Sequence, residues 1–177
     1  MAVQNNGRVD GAQRIAVCPG SYDPVTNGHI DIIRRGAEVF DKVVVAVVNA
    51  SVRKSPPLFD AEERIAFIEE AVQDLPNVEV AKFDILVVEF ARQVGASVIL
   101  KGLRAISDFE YEFEMHQLNS TMAPDIESVY MMSSPQFSFI SSSGIKEMAR
   151  FGGDVSDLVP PQVSVRLHEA LEAQASR

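Results

Sequence analysis

The sequence predicts an α/β protein built on a single doubly wound, five-stranded parallel sheet, with helices on both faces and further helices at the C-terminus. Three observations predict it. Short apolar runs alternate with stretches of helical periodicity from Arg14 onward. The run KVVVAVV over 42–48 is β-branched and does not alternate, as expected of a strand covered on both faces. The links between successive elements are short, which favours right-handed crossovers within one sheet.

Taken in order, Ile15-Ala16-Val17-Cys18 is a short buried strand that Pro19-Gly20 breaks. From Gly28 to Phe40, apolar Ile30, Ile32, Ile33, Ala37 and Phe40 fall close to helical spacing. Lys42–Val48 is the second strand. A loop over 49–59 then carries Arg53, Lys54 and Pro56-Pro57. Asp60 reads as a helix cap with Glu63 as its reciprocal partner, and the helix runs to about Leu75, where Pro76 stops it. Val78–Phe83 is the third strand. Leu86–Val94 is a helix ended by Gly95, and Val98–Leu100 is a fourth strand leading into Lys101-Gly102. Asp108 to about Ser120 is helical, Ser128–Met132 is the fifth strand, and helices over 143–151 and 161–175 close the chain.

At 177 residues the chain suits one compact domain, here residues 14–175. Residues 1–13 are polar and read as a flexible extension without the apolar stretch of a signal peptide. No apolar run approaches the roughly 18–20 residues of a membrane helix. The single cysteine, Cys18, excludes an intramolecular disulfide framework and fits a reducing, cytoplasmic setting. A net charge of −9 argues against nonspecific binding to nucleic acid. It leaves room for a small phosphate ligand, which needs only a few clustered cations and a helix N-terminus.

The loop PGSYDPVTNGH over 19–29 follows the first strand and opens onto the ligand edge of such a sheet. Pro19-Gly20 and Asp23-Pro24 enforce turns, and Thr26-Asn27-Gly28-His29 leads into a helix whose N-terminus attracts phosphate. The helix dipole lowers the proton affinity of His29, yet a ring nitrogen bearing hydrogen still donates to a phosphate oxygen. Small Gly28 allows an adenine ring or a phosphate to approach the backbone. Lys101 and Arg104 follow the fourth strand on the same edge, a close pair of cations in an acidic chain. No Ser–His–Asp or Cys–His arrangement stands out, and no His/Cys/carboxylate spacing indicates a protein-held metal.

With Thr26 and His29 at its two defining positions, the first loop resembles the (H/T)xGH signature of the nucleotidyltransferase superfamily, whose fold is Rossmann-like. Together with KGLRAISDFEYE over 101–112 and FSFISSS over 137–143, the chain resembles the bacterial phosphopantetheine adenylyltransferase family. The resemblance spans about Ile15 to Leu167. It implies reversible transfer of AMP from Mg-ATP to 4′-phosphopantetheine, giving dephospho-coenzyme A and pyrophosphate by direct in-line attack. It further implies that Mg2+ arrives with ATP, that the protein is a homohexamer, and that coenzyme A binds the active site as a feedback ligand.

Residue by residue, the resemblance makes His29 the group that binds ATP phosphate and stabilises the transition state. Ser21 holds the acceptor phosphate, and Ser21 with Tyr22 contacts the nucleotide. Lys101 meets the acceptor phosphate, Gly102, Leu103 and Arg104 meet ATP, and Glu112 reaches the nucleotide. Phe137, Ser138, Phe139, Ile140, Ser141, Ser142 and Ser143 form the adenine- and phosphate-binding segment, although serines there also serve simply as helix caps. One lysine of the 49–58 loop binds acceptor phosphate in the family, which points to Lys54, with Arg53 as its alternative. Leu86 and Val87 fall where the family lines the pantetheine arm, or where a helix buries an apolar face. Lys146, one turn into its helix, adds charge or is exposed. Two other readings stay open: a transferase of the same superfamily for another phosphate acceptor, and a nonenzymatic nucleotide-binding module.

Overall fold

The computed structural model describes residues 13–49 and 56–175. Five strands form one sheet: β1 (Ile15–Gly20), β2 (Lys42–Val48), β3 (Val78–Phe83), β4 (Val98–Leu103) and β5 (Glu127–Met132). All pairings are parallel, in the order β3-β2-β1-β4-β5. The helices are α1 (Asn27–Val39), α2 (Ala61–Ala71), α3 (Val87–Gln93), α4 (Ile106–Met122), α5 (Ser142–Arg150) and α6 (Pro161–Ala175), with a 3₁₀ turn at Pro135–Phe137. The doubly wound parallel sheet expected from the sequence is present. Its winding reverses between β1 and β4, the place where such sheets bind ligands.

Packing follows from the side-chain pattern. Val43 to Val47 of β2 are buried on both faces, so alternate residues enter two separate cores. On one face Val43, Val45 and Val47 meet Ile30 and Ile33 of α1, Phe67 and Ile68 of α2, and the apolar stripes of α5 and α6. On the other, Val44 and Ala46 meet Val88, Phe90 and Ala91 of α3 and Ala123 at the end of α4. Aliphatic burial at roughly 25 cal/mol per Å² is the main force holding these layers.

Several boundaries differ from the sequence expectation, each for a tertiary reason. β1 does not break at Pro19-Gly20 but stays in register with β2 as far as Gly20 opposite Val47. Towards β4 it pairs only through Ala16 and Val17, so beyond Val17 the strand is edge-like, where proline is tolerated. β4 runs on to Leu103, which places Lys101 and Gly102 inside the strand rather than after it. α2 ends at Ala71, not Leu75. The following turn is held by Arg34 of α1 gripping Asp74 and by the Leu75 amide donating to the Val72 carbonyl at 2.8 Å. Asp60 caps α2 by accepting from the Glu63 amide at 2.8 Å, but Glu63 is not its reciprocal partner: its carboxylate accepts from Arg166 of α6 at 2.6 Å.

Candidate active site

The site begins with β1 and β4 parting. Past Val17 and Ile99 the two strands no longer pair, and a cavity of about 400 Å³ opens between their carboxyl ends. Two helices start on it. α1 begins after Thr26 and α5 after Ser141, so both turn the partial positive charge of their N-termini to the same space.

The start of α1 is a capping box in which a histidine takes the place usually held by glutamate or glutamine. The Thr26 side chain accepts from the His29 amide, and the Thr26 amide donates to Nδ1 of His29 at 3.0 Å. An Nδ1 that accepts from an amide leaves the ring hydrogen of neutral imidazole on Nε2. Burial, reinforced by the charge of Arg104, pushes the His29 pKa down to about 4, so the ring is neutral near pH 7. The capping box therefore selects the tautomer, and burial keeps the ring uncharged.

Tyr22 stands at φ 49°, a left-handed conformation unusual for a bulky residue. Its ring is buried over Gly20, where an added Cβ would meet the ring carbons at 2.9 Å. Its hydroxyl donates to the Cys18 carbonyl at 2.8 Å, and its ring meets His29 edge-on with centroids 5.1 Å apart. Burial pushes the Cys18 thiol up, so the sulfur lining the cavity is protonated near neutral pH and is no ready nucleophile.

β4 and α4 supply the remaining charges. Lys101 pairs with Glu112 at 2.9 Å, and Arg104 grips Asp108 through Nε at 3.0 Å and Nη2 at 3.1 Å. Nη1 of Arg104 also donates to the Ile140 carbonyl at 2.9 Å, tying the end of β4 to the segment before α5. Asp108 and Glu112 lie one turn apart on α4, so one face of that helix supplies counter-ions to both cations. Burial alone would raise the Asp108 carboxyl, but the Arg104 bonds outweigh it and hold the group below its usual range.

The cavity gathers Ser21, Tyr22, His29, Lys101, Gly102, Arg104 and Glu112 from the expected set, together with Ile140, Ser141, Ser142 and Ser143. Ser141 caps α5 by accepting from the Gly144 amide at 3.0 Å, and Ser142 donates to the Pro24 carbonyl at 2.8 Å. Leu103 is buried in β4, and Phe137 packs against the core. Ser138 donates to the Pro135 carbonyl at 3.0 Å, and Phe139 is 71% exposed; none of these four lines the cavity. Val87 packs against the core on the opposite face of the sheet from α1, and Leu86 is half exposed. Lys54 and Arg53 lie outside the described residues.

The sequence reading missed the groups that hold the Ser21–Pro24 loop. Arg64 of α2 is 2% exposed and donates to the Ser21 carbonyl at 2.6 Å and the Val48 carbonyl at 3.1 Å. Asp23 accepts from the Leu58 and Phe59 amides and from Lys146 at 2.6 Å, so Lys146 is an ion-pair partner rather than a free surface charge. One signal for Arg64 was present: it shares the helical face of Ala61, Phe67 and Ile68, where a cation has no reason to lie without a buried partner.

Comparisons with known proteins agree with this architecture. The cytidylyltransferase-like family model matches residues 17–148. A phosphopantetheine adenylyltransferase of Caldanaerobacter subterraneus subsp. tengcongensis is 52% identical over 156 residues, which span 88% of this chain and 96% of the relative. One of Desulforudis audaxviator is 51% identical over 150 residues, spanning 85% of this chain and 91% of that protein. A solved structure from Vibrio parahaemolyticus, provisionally described as a nicotinate-nucleotide adenylyltransferase, superposes with a TM-score of 0.66 over 90% of this chain and 95% of its own. At 18% identity it speaks for the fold alone. Matched by the family model over residues 17–148 and about half identical to these two relatives over most of their length, the chain belongs to the phosphopantetheine adenylyltransferase family.

Proposed function

We propose that this protein transfers AMP from ATP to 4′-phosphopantetheine, giving dephospho-coenzyme A and pyrophosphate, a step of coenzyme A synthesis. Beside family membership, one observation carries the reading: His29, Lys101, Arg104 and two helix N-termini converge on one cavity at the switch point of the sheet. That is a polyanion site, and it offers no activated nucleophile.

The acceptor phosphate is largely dianionic at neutral pH, because its second pKa is about 6, so no strong base is needed to prepare it. One of its oxygens forms a bond to the α-phosphorus as the bond from that phosphorus to the bridging oxygen breaks. Pyrophosphate leaves with the electron pair. What the chain supplies is alignment and charge. Ser21 and Lys101 hold the acceptor phosphate, and Lys54 is assigned to it by position. The N–H on Nε2 of His29 donates to ATP phosphate as charge shifts onto the leaving group. Gly102, Arg104, Glu112 and the segment from Ile140 to Ser143 seat the nucleotide.

Binding of substrate must exchange partners. Lys101 and Arg104 are paired with Glu112 and Asp108, so phosphate competes with these carboxylates for the two cations. Mg2+ enters as part of the Mg-ATP substrate, held by phosphate oxygens and water. Among the described residues no cluster of His, Cys and carboxylates offers it a protein cage, and both cavity carboxylates already face cations.

Residues 14–175 act as one domain on this reading, supported by the single sheet. A homohexamer is supported by large apolar side chains left exposed on α4, among them Phe109 and Phe113, which stack at 5.9 Å. Coenzyme A, which carries both the adenylyl and the pantetheine parts of the product, is expected to occupy the same cavity as a feedback ligand. Among the described residues no helix is long and apolar enough to cross a membrane, and a cytoplasmic setting fits the free Cys18 thiol. The deciding experiment is pyrophosphate release from Mg-ATP with 4′-phosphopantetheine, beside nicotinate mononucleotide, glycerol phosphate and FMN. Release with 4′-phosphopantetheine alone is expected. Release with another acceptor instead would move the assignment elsewhere in the superfamily, and silence with all four would leave a nucleotide-binding module.

A further inference from the structure

We propose that Arg64 is a positioning residue for the transfer reaction, holding Ser21 in register with the rest of the cavity through a buried bracket completed by Asp23 and Lys146. The assignment of an acceptor side to Ser21 rests on the function proposed above.

A single buried guanidinium reaches four carbonyls in three separate stretches of the chain. Nη1 donates to Ser21 at 2.6 Å and to Val48 at 3.1 Å; Nε donates to Phe59 and Asp60, both at 3.1 Å. The first lies just past the end of β1, the second ends β2, and the last two precede α2. Arg64 therefore ties together the carboxyl ends of two neighbouring strands, at the edge where the cavity lies. Only a planar fork with several fixed donors does this, and a lysine cannot.

Two residues beyond Ser21 the same loop is gripped from the other side. The Asp23 carboxylate, 7% exposed, accepts from the Leu58 and Phe59 amides at 3.0 Å and pairs with Lys146 at 2.6 Å. Lys146 sits one turn into α5, and Ser142 at the start of α5 donates to the Pro24 carbonyl. The Ser21–Pro24 loop is thus fastened to α2 through Arg64 and to α5 through Lys146 and Ser142. A small second cavity of about 130 Å³ lies against this bracket and shares Ser21, Ser142 and Ser143 with the first.

A bond to a main-chain carbonyl places the backbone of Ser21 without engaging its side chain. Errors of about an ångström in such placement cost on the order of 10²-fold in rate. Ser21 stands against the acceptor on this reading and also meets the nucleotide beside Tyr22, but ATP is held in addition by His29, Gly102, Arg104 and Glu112, none of which Arg64 is bonded to. Loss of the fork should therefore act on the acceptor more than on ATP.

The test compares Arg64→Lys and Asp23→Asn with the unaltered protein, using Mg-ATP and 4′-phosphopantetheine. Melting curves first establish the temperature range in which each variant is folded, and kinetics are taken within it. The expected result is a fall of about tenfold or more in kcat/KM for the acceptor, with the KM for ATP changed less than about threefold. Arg64→Gly with added guanidinium should recover part of the acceptor term and leave the ATP term unmoved. Equal losses for both substrates, or a lower melting temperature with unchanged kinetics in the folded range, would overturn the positioning role. Should Arg64→Lys fail to fold, Asp23→Asn carries the same prediction and the same refutation. An unaltered protein inactive with 4′-phosphopantetheine would instead sink the functional reading itself, before any variant is compared.

Discussion

At the scale of single residues, the histidine of the signature is governed by its own capping box. Because Nδ1 of His29 is occupied by the Thr26 amide, only Nε2 is left to donate, and the low pKa keeps that donor on a neutral ring. Replacing His29 by alanine removes a preorganised donor at the leaving group, so turnover should fall by ~10²–10³-fold while ATP binding weakens less. Single-turnover kinetics beside ATP titration would measure both, and near-intact turnover would remove His29 from its role. The titration has a definite sign. The folded pKa of about 4 lies below the ordinary 6.5, so the unfolded chain binds the extra proton between these values. Stability owed to the neutral ring is complete above pH 6.5 and is lost as pH falls towards 4, at most about 1.4 kcal/mol per unit. Urea melts of the parent and His29→Gln between pH 4 and 7 should show the steeper acid loss in the parent, and NMR should place the His29 midpoint near 4.

At the scale of elements, helices reach the site by packing closely on strands. Gly36 of α1 faces Leu100 of β4 so tightly that an added Cβ would lie 2.5 Å from the leucine Cδ2. Gly36→Ala should force the helix off the sheet and cost about 1–3 kcal/mol by overpacking, read as a lower urea midpoint. An unchanged midpoint would show that Leu100 can give way. The same argument explains Gly102, where a Cβ would meet Ile32 at 2.8 Å; the glycine of the KGLR string serves α1 packing as well as the ligand edge. α4 plays a different part. Its turn-spaced Asp108 and Glu112 neutralise Arg104 and Lys101, so this helix sets the charge that an incoming phosphate meets.

At the scale of the whole molecule, apolar side chains that the described fold leaves uncovered invite copies of the chain. Ile106 is 80% exposed and Tyr111 61%, beside the stacked Phe109 and Phe113 on the same helix. Light scattering of the purified protein should give six times the chain mass of 19.4 kDa. Phe113→Glu should yield smaller species, and a monomeric parent would refute the assembly.

The order of elements, the parallel winding and the placement of the signature loop were legible in the sequence, because each rests on local chemistry. Period-3.6 and unbroken apolar runs report burial directly, and the turn residues of 19–29 declare a loop wherever they occur. His29, Lys101 and Arg104 were picked out by residue type at a strand end or helix start and Ser141–Ser143 by the family resemblance, and the fold brings all of them to one cavity. What the sequence left undecided depends on partners distant along the chain. Arg64 grips Ser21, forty-three residues away, and Lys146 grips Asp23 across 123 residues. The continuation of β1 through Pro19 hinges on how far β4 pairs with it, and the end of α2 on Arg34 and Asp74. Periodicity and propensity measure how each residue meets its own helix or strand. Which cation meets which carbonyl is set only when the strands align, so the sequence determined the chemistry at the cavity, and the tertiary structure alone decided the frame that holds it.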